Sequence, residues 1–143
     1  LSTSTSPVCP GRVALEGYGP VALVPTGWHA PTLAGEVEVL NDRLVVPYMG
    51  ARLYFADSCT PGAYDRHQYL ALNLLGKTLR YTTDLAGAGC GCNAQLHLAP
   101  MQRNVHESEC HDYHCSAAGA CGVFCTELAV QEANQYAWAS SLR

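Results

Sequence analysis

The chain predicts an all-β fold of antiparallel strands, arranged as a sandwich or barrel. Three observations lead there. Short runs of alternating or β-branched apolar residues recur along the sequence, and Gly, Pro, Asn or Asp separates one run from the next. No segment before residue 132 holds a helical period. At 143 residues the chain has the size of one domain with a core of its own.

Taken in order, residues 1–12 form an extended N-terminal segment rich in Ser, Thr and Pro, and 13–143 form the domain. Residues 36–40 alternate, Asn41-Asp42 supplies a tight turn and 43–46 resumes, which is a hairpin pattern. Residues 52–55, 67–72, 78–83 and 95–98 read as further strands, and 121–130 as the last. Residues 132–142 read as a short helix or irregular turn carrying Tyr136 and Trp138. On this reading the last strand lies at a sheet edge without a neighbour, and edges normally need covering. The domain is therefore expected to be incomplete, or completed by a partner chain or a C-terminal portion.

Composition narrows the function classes. Only 14% of residues are charged and the net charge is −4, so no basic surface suited to nucleic acid is expected. No apolar run approaches the ~20 residues of a membrane span. The chain opens at Leu1 without a charged-then-apolar leader, so any targeting segment is expected to have been removed. No cofactor is expected.

Eight cysteines, Cys9, Cys59, Cys90, Cys92, Cys110, Cys115, Cys121 and Cys125, are all disulfide candidates, which places the chain in a secreted or oxidising lumenal setting. The rival is zinc, suggested by His106, Cys110, His111, His114 and Cys115 lying together. Their spacing lacks the paired short intervals of zinc sites, so disulfides are the preferred reading and no metal is expected.

The densest chemical signal is Cys-Thr-Glu-Leu-Ala-Val-Gln-Glu-Ala-Asn at 125–134. Two carboxylates facing one cleft are the equipment of a glycosidase. Glu127 and Glu132, however, are five residues apart, and a regular strand sends such residues to opposite faces. They share a face only if a bulge inserts one extra residue between them. The alternative is an accidental pair of glutamates at an exposed strand end.

Four blocks in order carry a resemblance: Gly-Ala-Arg-Leu-Tyr-Phe at 50–55, the segment 69–85, Cys-Gly-Cys-Asn-Ala-Gln-Leu-His-Leu at 90–98 with Met101, and Glu-Leu-Ala-Val-Gln-Glu-Ala-Asn at 127–134. Together they resemble glycoside hydrolase family 7, the cellobiohydrolases and endoglucanases, over about residues 44–143. The resemblance implies a curved two-sheet antiparallel sandwich of the lectin-like jelly-roll kind. It places Glu127 on the nucleophile and Glu132 on the acid/base of a retaining mechanism, with Arg52, Asn93 and His97 among the sugar-facing positions. Trp138 is added as an aromatic surface for a pyranose ring, with Trp28, Tyr113 and Tyr136 as further candidates.

The chain departs from the family pattern at four places. Ala129 replaces the Asp between the two glutamates, Arg143 replaces a His, His97 replaces a Tyr and Gln131 replaces a Trp. The family's enzymes are also much longer, with most of the substrate-enclosing loops after this motif. Two readings follow. The leading one is a non-catalytic family 7-like module, a pseudoenzyme serving as a structural, interaction or glycan-binding subunit. The alternative is a retaining β-1,4-glucanase, acting on β-glucan, of which this chain is a fragment or processed part. Each residue also has a plainer reading: a cross-strand ion pair for Arg52, a turn for Asn93, a half-buried strand histidine for His97 and core packing for Trp138.

Overall fold

Residues Val21 to Val24 form an unbroken apolar run, and all four are almost completely buried. Such a run suits a strand covered on both faces, and it forms the middle of the first sheet. The computed structural model describes residues 8–27, 37–47 and 49–143. Its strands are β1 (Arg12–Leu15), β2 (Gly19–Gly27), β3 (Glu38–Leu40), β4 (Arg43–Val45), β5 (Ala51–Ala56), β6 (Ala94–Leu98), β7 (Leu128–Asn134) and β8 (Ala137–Leu142). They pair in the orders β1-β2-β5, β3-β4 and β6-β7-β8, every pair antiparallel. The fold is all-β, as the sequence predicts.

The hairpin around Asn41-Asp42 forms as expected, with both residues in the left-handed region (φ 50° and 62°) that this turn requires. Of the expected first strand, Glu36 lies outside the described residues, as does Trp28. The β1-β2 hairpin is an element the sequence reading passed over. Its signal is the Gly17-Tyr18-Gly19 turn, where Gly17 takes a φ of +80° and the Tyr18 amide donates to Leu15.

Four expectations are corrected. Residues 67–72 make only a one-residue bridge, Tyr69 to Ala56, because a 3₁₀ turn (Arg66–Gln68), capped by the Asp65 side chain, takes up the start of that segment. Residues 78–83 form no strand; they are mostly exposed and no described strand pairs with them. Residues 132–142 are not a short helix or one irregular turn but the end of β7, a two-residue turn at 135–136 and a further strand. Asn134 accepts from the amides of Tyr136 and Ala137, which folds the chain back on itself, so β7 runs to Asn134 and β8 returns beside it. Consequently β7 is the central strand of its sheet, and β8 is the edge. The expected strand over 121–130 likewise begins only at Leu128. The residues before it are held in turns by the Cys110–Cys121 and Cys115–Cys125 disulfides.

A third disulfide, Cys9–Cys59, fastens the N-terminal segment to the loop after β5. The apolar cluster of Val24, Ala56 and Tyr69, flanked by Tyr54, Cys59, Tyr64, Met101 and Tyr113, lies between the first sheet and the long loop that leads to β7. At its centre is a charge. Asp112 is fully buried, and its Oδ2 accepts from Arg52 Nη2 (2.7 Å), Tyr54 Oη (2.8 Å) and Thr26 Oγ1 (3.1 Å). Its Oδ1 accepts from Ser108 Oγ (2.9 Å) and the His114 amide (3.1 Å). The Asp112 carbonyl accepts from Tyr69 Oη at 2.6 Å. Burial, with the Asp112 charge beside them, drives the Tyr54 and Tyr69 phenols well above their ordinary range, so both remain donors.

Breaking a buried pair from one side strands the other charge. Asp112→Ala should therefore lower stability by about 3–5 kcal/mol in urea denaturation with disulfides intact, and adding Arg52→Met should restore part of it. A loss under about 1 kcal/mol for the single change, the size of an exposed ion pair, would refute this account of the core.

Candidate functional site

Glu127 and Glu132 share one face because the bulge demanded by their spacing is present. Against β6, Gln131 pairs with Leu96 and Ala129 with His97, so Val130 has no partner of its own. Against β8, Glu132 pairs with Ala139 and Ala129 with Ser141, leaving two residues opposite Ser140. The Val130 carbonyl, turned out of the ladder, accepts from Ser140 Oγ at 2.7 Å. Beyond the bulge, Glu127 and Arg143 exchange both backbone hydrogen bonds (2.9 and 2.8 Å).

Directly opposed residues point to the same side of a sheet. One face of this sheet therefore carries Gln95, His97, Glu127, Ala129, Glu132, Ser141 and Arg143. His97 stands between the carboxylates, Nδ1 at 3.4 Å from Glu127 Oε1 and Nε2 at 3.9 Å from Glu132 Oε1. Arg143 bridges the same pair, Nη1 at 3.6 Å from Glu127 Oε1 and Nη2 in a short contact with Glu132 Oε2. The hydrogen bond to Glu132, reinforced by the charges of Glu132 and Glu127, raises the pKa of the Arg143 guanidinium, which is a permanent cation. Glu127 is almost wholly buried, Glu132 less so, and the Arg143 head is half-exposed.

The other candidates fall elsewhere. Arg52 is engaged with Asp112 beneath the first sheet, so its guanidinium serves the core. Asn93 is exposed just ahead of β6. Trp138 pairs with Ala133, one step out of phase with Glu132, so its ring lies on the opposite face from the carboxylates, where its Nε1 donates to Ser140. Of the further aromatic candidates, Tyr113 belongs to the core cluster and Tyr136 is exposed in the β7-β8 turn.

Six cysteines pair, while Cys90 and Cys92 are free thiols, which corrects the expectation that all eight bond. They flank Gly91 in a tight turn closed by the Cys92 amide donating to Gly89, and every other cysteine is already taken. The histidine-cysteine cluster offers no zinc ligands from Cys110 or Cys115, whose sulfurs are in disulfides. Cys110, Asp112 and Cys121 do converge, but the two sulfurs are bonded to each other and the carboxylate is saturated by donors.

Two participants take roles that the sequence reading did not assign to them. Arg143 reads in the sequence only as a missing His, yet it joins both glutamates. His114 follows the buried aspartate, and its ring stacks on Tyr54 at 6.2 Å with Nδ1 buried and unpartnered. Burial first, then the Arg52 charge, pushes its pKa down to about 4.

No protein-family model matches this chain, and neither a curated protein nor a solved structure matches it.

Two outcomes follow. In the native protein an alkylating reagent should label two thiols, Cys90 and Cys92, and peptide mapping by mass spectrometry should find the other six only after reduction. For His114, a folded pKa below the unfolded value means stability is full above about 6.5 and is lost as pH falls towards about 4. His114→Gln should flatten that part of the stability curve, measured by urea denaturation across the window. An unchanged slope would refute a buried neutral His114.

Proposed function

We propose that this chain is a non-catalytic, glycoside hydrolase family 7-like module of lectin-like sandwich type, which binds glycan or serves as a structural or interaction subunit in an oxidising compartment. The observation that supports it is the state of the two glutamates. Hydrolysis of the retaining kind needs Glu132 to deliver a proton and Glu127 to attack an anomeric carbon. Glu132 Oε2, an oxygen that would carry the proton, instead accepts from the Arg143 guanidinium. Glu127 is almost wholly buried and faces the same cation. Between them Ala129 has no polar group to orient or tune either carboxylate. The arrangement is a charge-compensated pair. Among the described residues no strand pairs with the outer edge of β8, which is uncharged from Ala137 to Leu142, and this supports the interaction form of the reading.

The second reading is a retaining β-1,4-glucanase. The bulge favours it, because it is the device by which a five-residue spacing presents both carboxylates to one side.

Release of aglycone from an aryl β-cellobioside separates the two. The chain, Glu127→Gln and Glu132→Gln should all give background rates. Turnover by the unaltered protein that is lost in both variants would overturn the proposal and establish the glucanase.

A further inference from the structure

A cavity of about 200 Å³ opens between the 3₁₀ turn Met101–Arg103 and the disulfide-bound loop that precedes β7. Local backbone builds both walls. On one side the Arg103 amide donates to the Pro100 carbonyl at 3.0 Å, which sets these two lining residues one turn apart. On the other, the Cys115–Cys125 disulfide and the pairing of Ser116 with Phe124 hold residues 123–125 beside 115–116. The Ser116 amide donates to Val123 (3.2 Å) and the Cys125 amide to Ser116 (3.1 Å). Pro100, Val123, Phe124 and the disulfide make this lining apolar, with Arg103 and Asn104 as its polar members.

Two features of the lining point to a ligand. Phe124 is 74% exposed, yet its ring lies across Gly119, where any Cβ would meet it. The fold makes room for an aromatic surface and leaves it uncovered, and covering such a surface is favourable. The second feature is charge. Arg103 is exposed, and among the described residues its guanidinium has no hydrogen-bond or ion-pair partner. Asn104 is committed by contrast, its Nδ2 donating to the Tyr113 carbonyl (2.9 Å) and its Oδ1 accepting from the His106 amide (3.1 Å). The group left for a ligand is a planar cation, which matches a carboxylate with two parallel hydrogen bonds.

Size and lining limit the rest. A dry apolar cavity of roughly 150 Å³ holds benzene. The space here therefore takes one ring with a short acid arm and is too small to enclose an oligosaccharide. Phe124 and the polarizable disulfide sulfurs favour an aromatic ring over an aliphatic one.

We propose that this cavity binds a small aromatic carboxylate, its ring among Val123, Phe124 and the Cys115–Cys125 disulfide and its carboxylate on Arg103. The site shares no residue with the Glu127–Glu132 face, so it stands or falls apart from the function proposed above.

Titration of the ¹⁵N-labelled chain, disulfides intact, with phenylacetate, phenylacetamide, cyclohexylacetate and inorganic phosphate tests it by NMR. Phenylacetate should move the amide signals of Arg103, Asn104, Phe124 and Cys125 in a saturable way, in the millimolar range expected of a one-ring ligand. Phenylacetamide should bind about two- to fivefold more weakly, the worth of an ion pair to an exposed group. Arg103→Gln should remove that difference, and Phe124→Ala should weaken acid and amide alike by about tenfold, the value of half a phenyl side chain's burial. No saturable shift at these amides below about 10 mM would overturn the proposal. Equal binding of acid and amide by the unaltered chain would do the same to the role of Arg103, and with it the carboxylate. Phosphate or cyclohexylacetate binding as tightly as phenylacetate would overturn the aromatic assignment. Should Phe124→Ala fail to fold, Arg103→Gln, a change at an exposed side chain, decides: an acid preference that survives it contradicts the site.

Discussion

The ionic contact of Asp112 with Arg52 holds the two halves of the molecule to each other. One carboxylate gathers Thr26 from β2, Arg52 and Tyr54 from β5, and Ser108 from its own loop. Isolated, such a buried charge would cost several kcal/mol, and it is tolerable here because each oxygen meets more than one donor. The geometry is demanding enough to hold His111 and Tyr113, the residues on either side, in the left-handed region at φ 57° and 60°. The loop carrying Asp112 has few backbone ladders of its own, so this contact and two disulfides define its path. That path leads to the site. Cys115 lies three residues after Asp112 and bonds to Cys125, and Glu127 follows two residues later.

Core and site thus use charge in different ways. Around Asp112 the partners are buried and the network is closed. Around Glu127 and Glu132 the compensating cation comes from the end of an edge strand and is half-exposed. Between the two regions stands His114, whose protonation is resisted by burial, by Arg52 and by His97, and aided by Asp112. The two ion pairs thus differ in setting, one saturated by donors in the interior and the other reaching a partly open face.

How much of this was legible in the sequence follows from what each residue signals locally. The hairpin at Asn41-Asp42 was readable because its turn type demands particular residues. The need for a bulge was readable because strand periodicity is strict. The path of residues 132–142 was not, since Asn134 acts through hydrogen bonds to amides two and three residues on, and a polar-aromatic stretch fits helix, turn or edge strand equally. Residues 78–83 have a strand's composition but gain a strand's energy only with a neighbour, which is a tertiary fact. The role of Asp112 was hidden for the same reason, because all three of its side-chain donors from the first sheet come from more than fifty residues away. The two glutamates were legible as a pair, while their shared guanidinium was not, since Arg143 reaches them only through the β7-β8 register.

Because Val130 has no partner of its own, the site depends on a residue count as much as on residue identity. Chain length between Glu127 and Glu132 acts as a phase. Five intervals with a bulge keep the glutamates together, whereas four intervals without one would do so at the regular pleat, and five without one would turn Glu132 towards the side of Trp138. Lineages of this chain could exchange nearly every side chain of β7 and still keep the acidic face. A single codon lost from the strand, with the bulge retained, would dissolve it, leaving every charged residue in place and the net charge untouched.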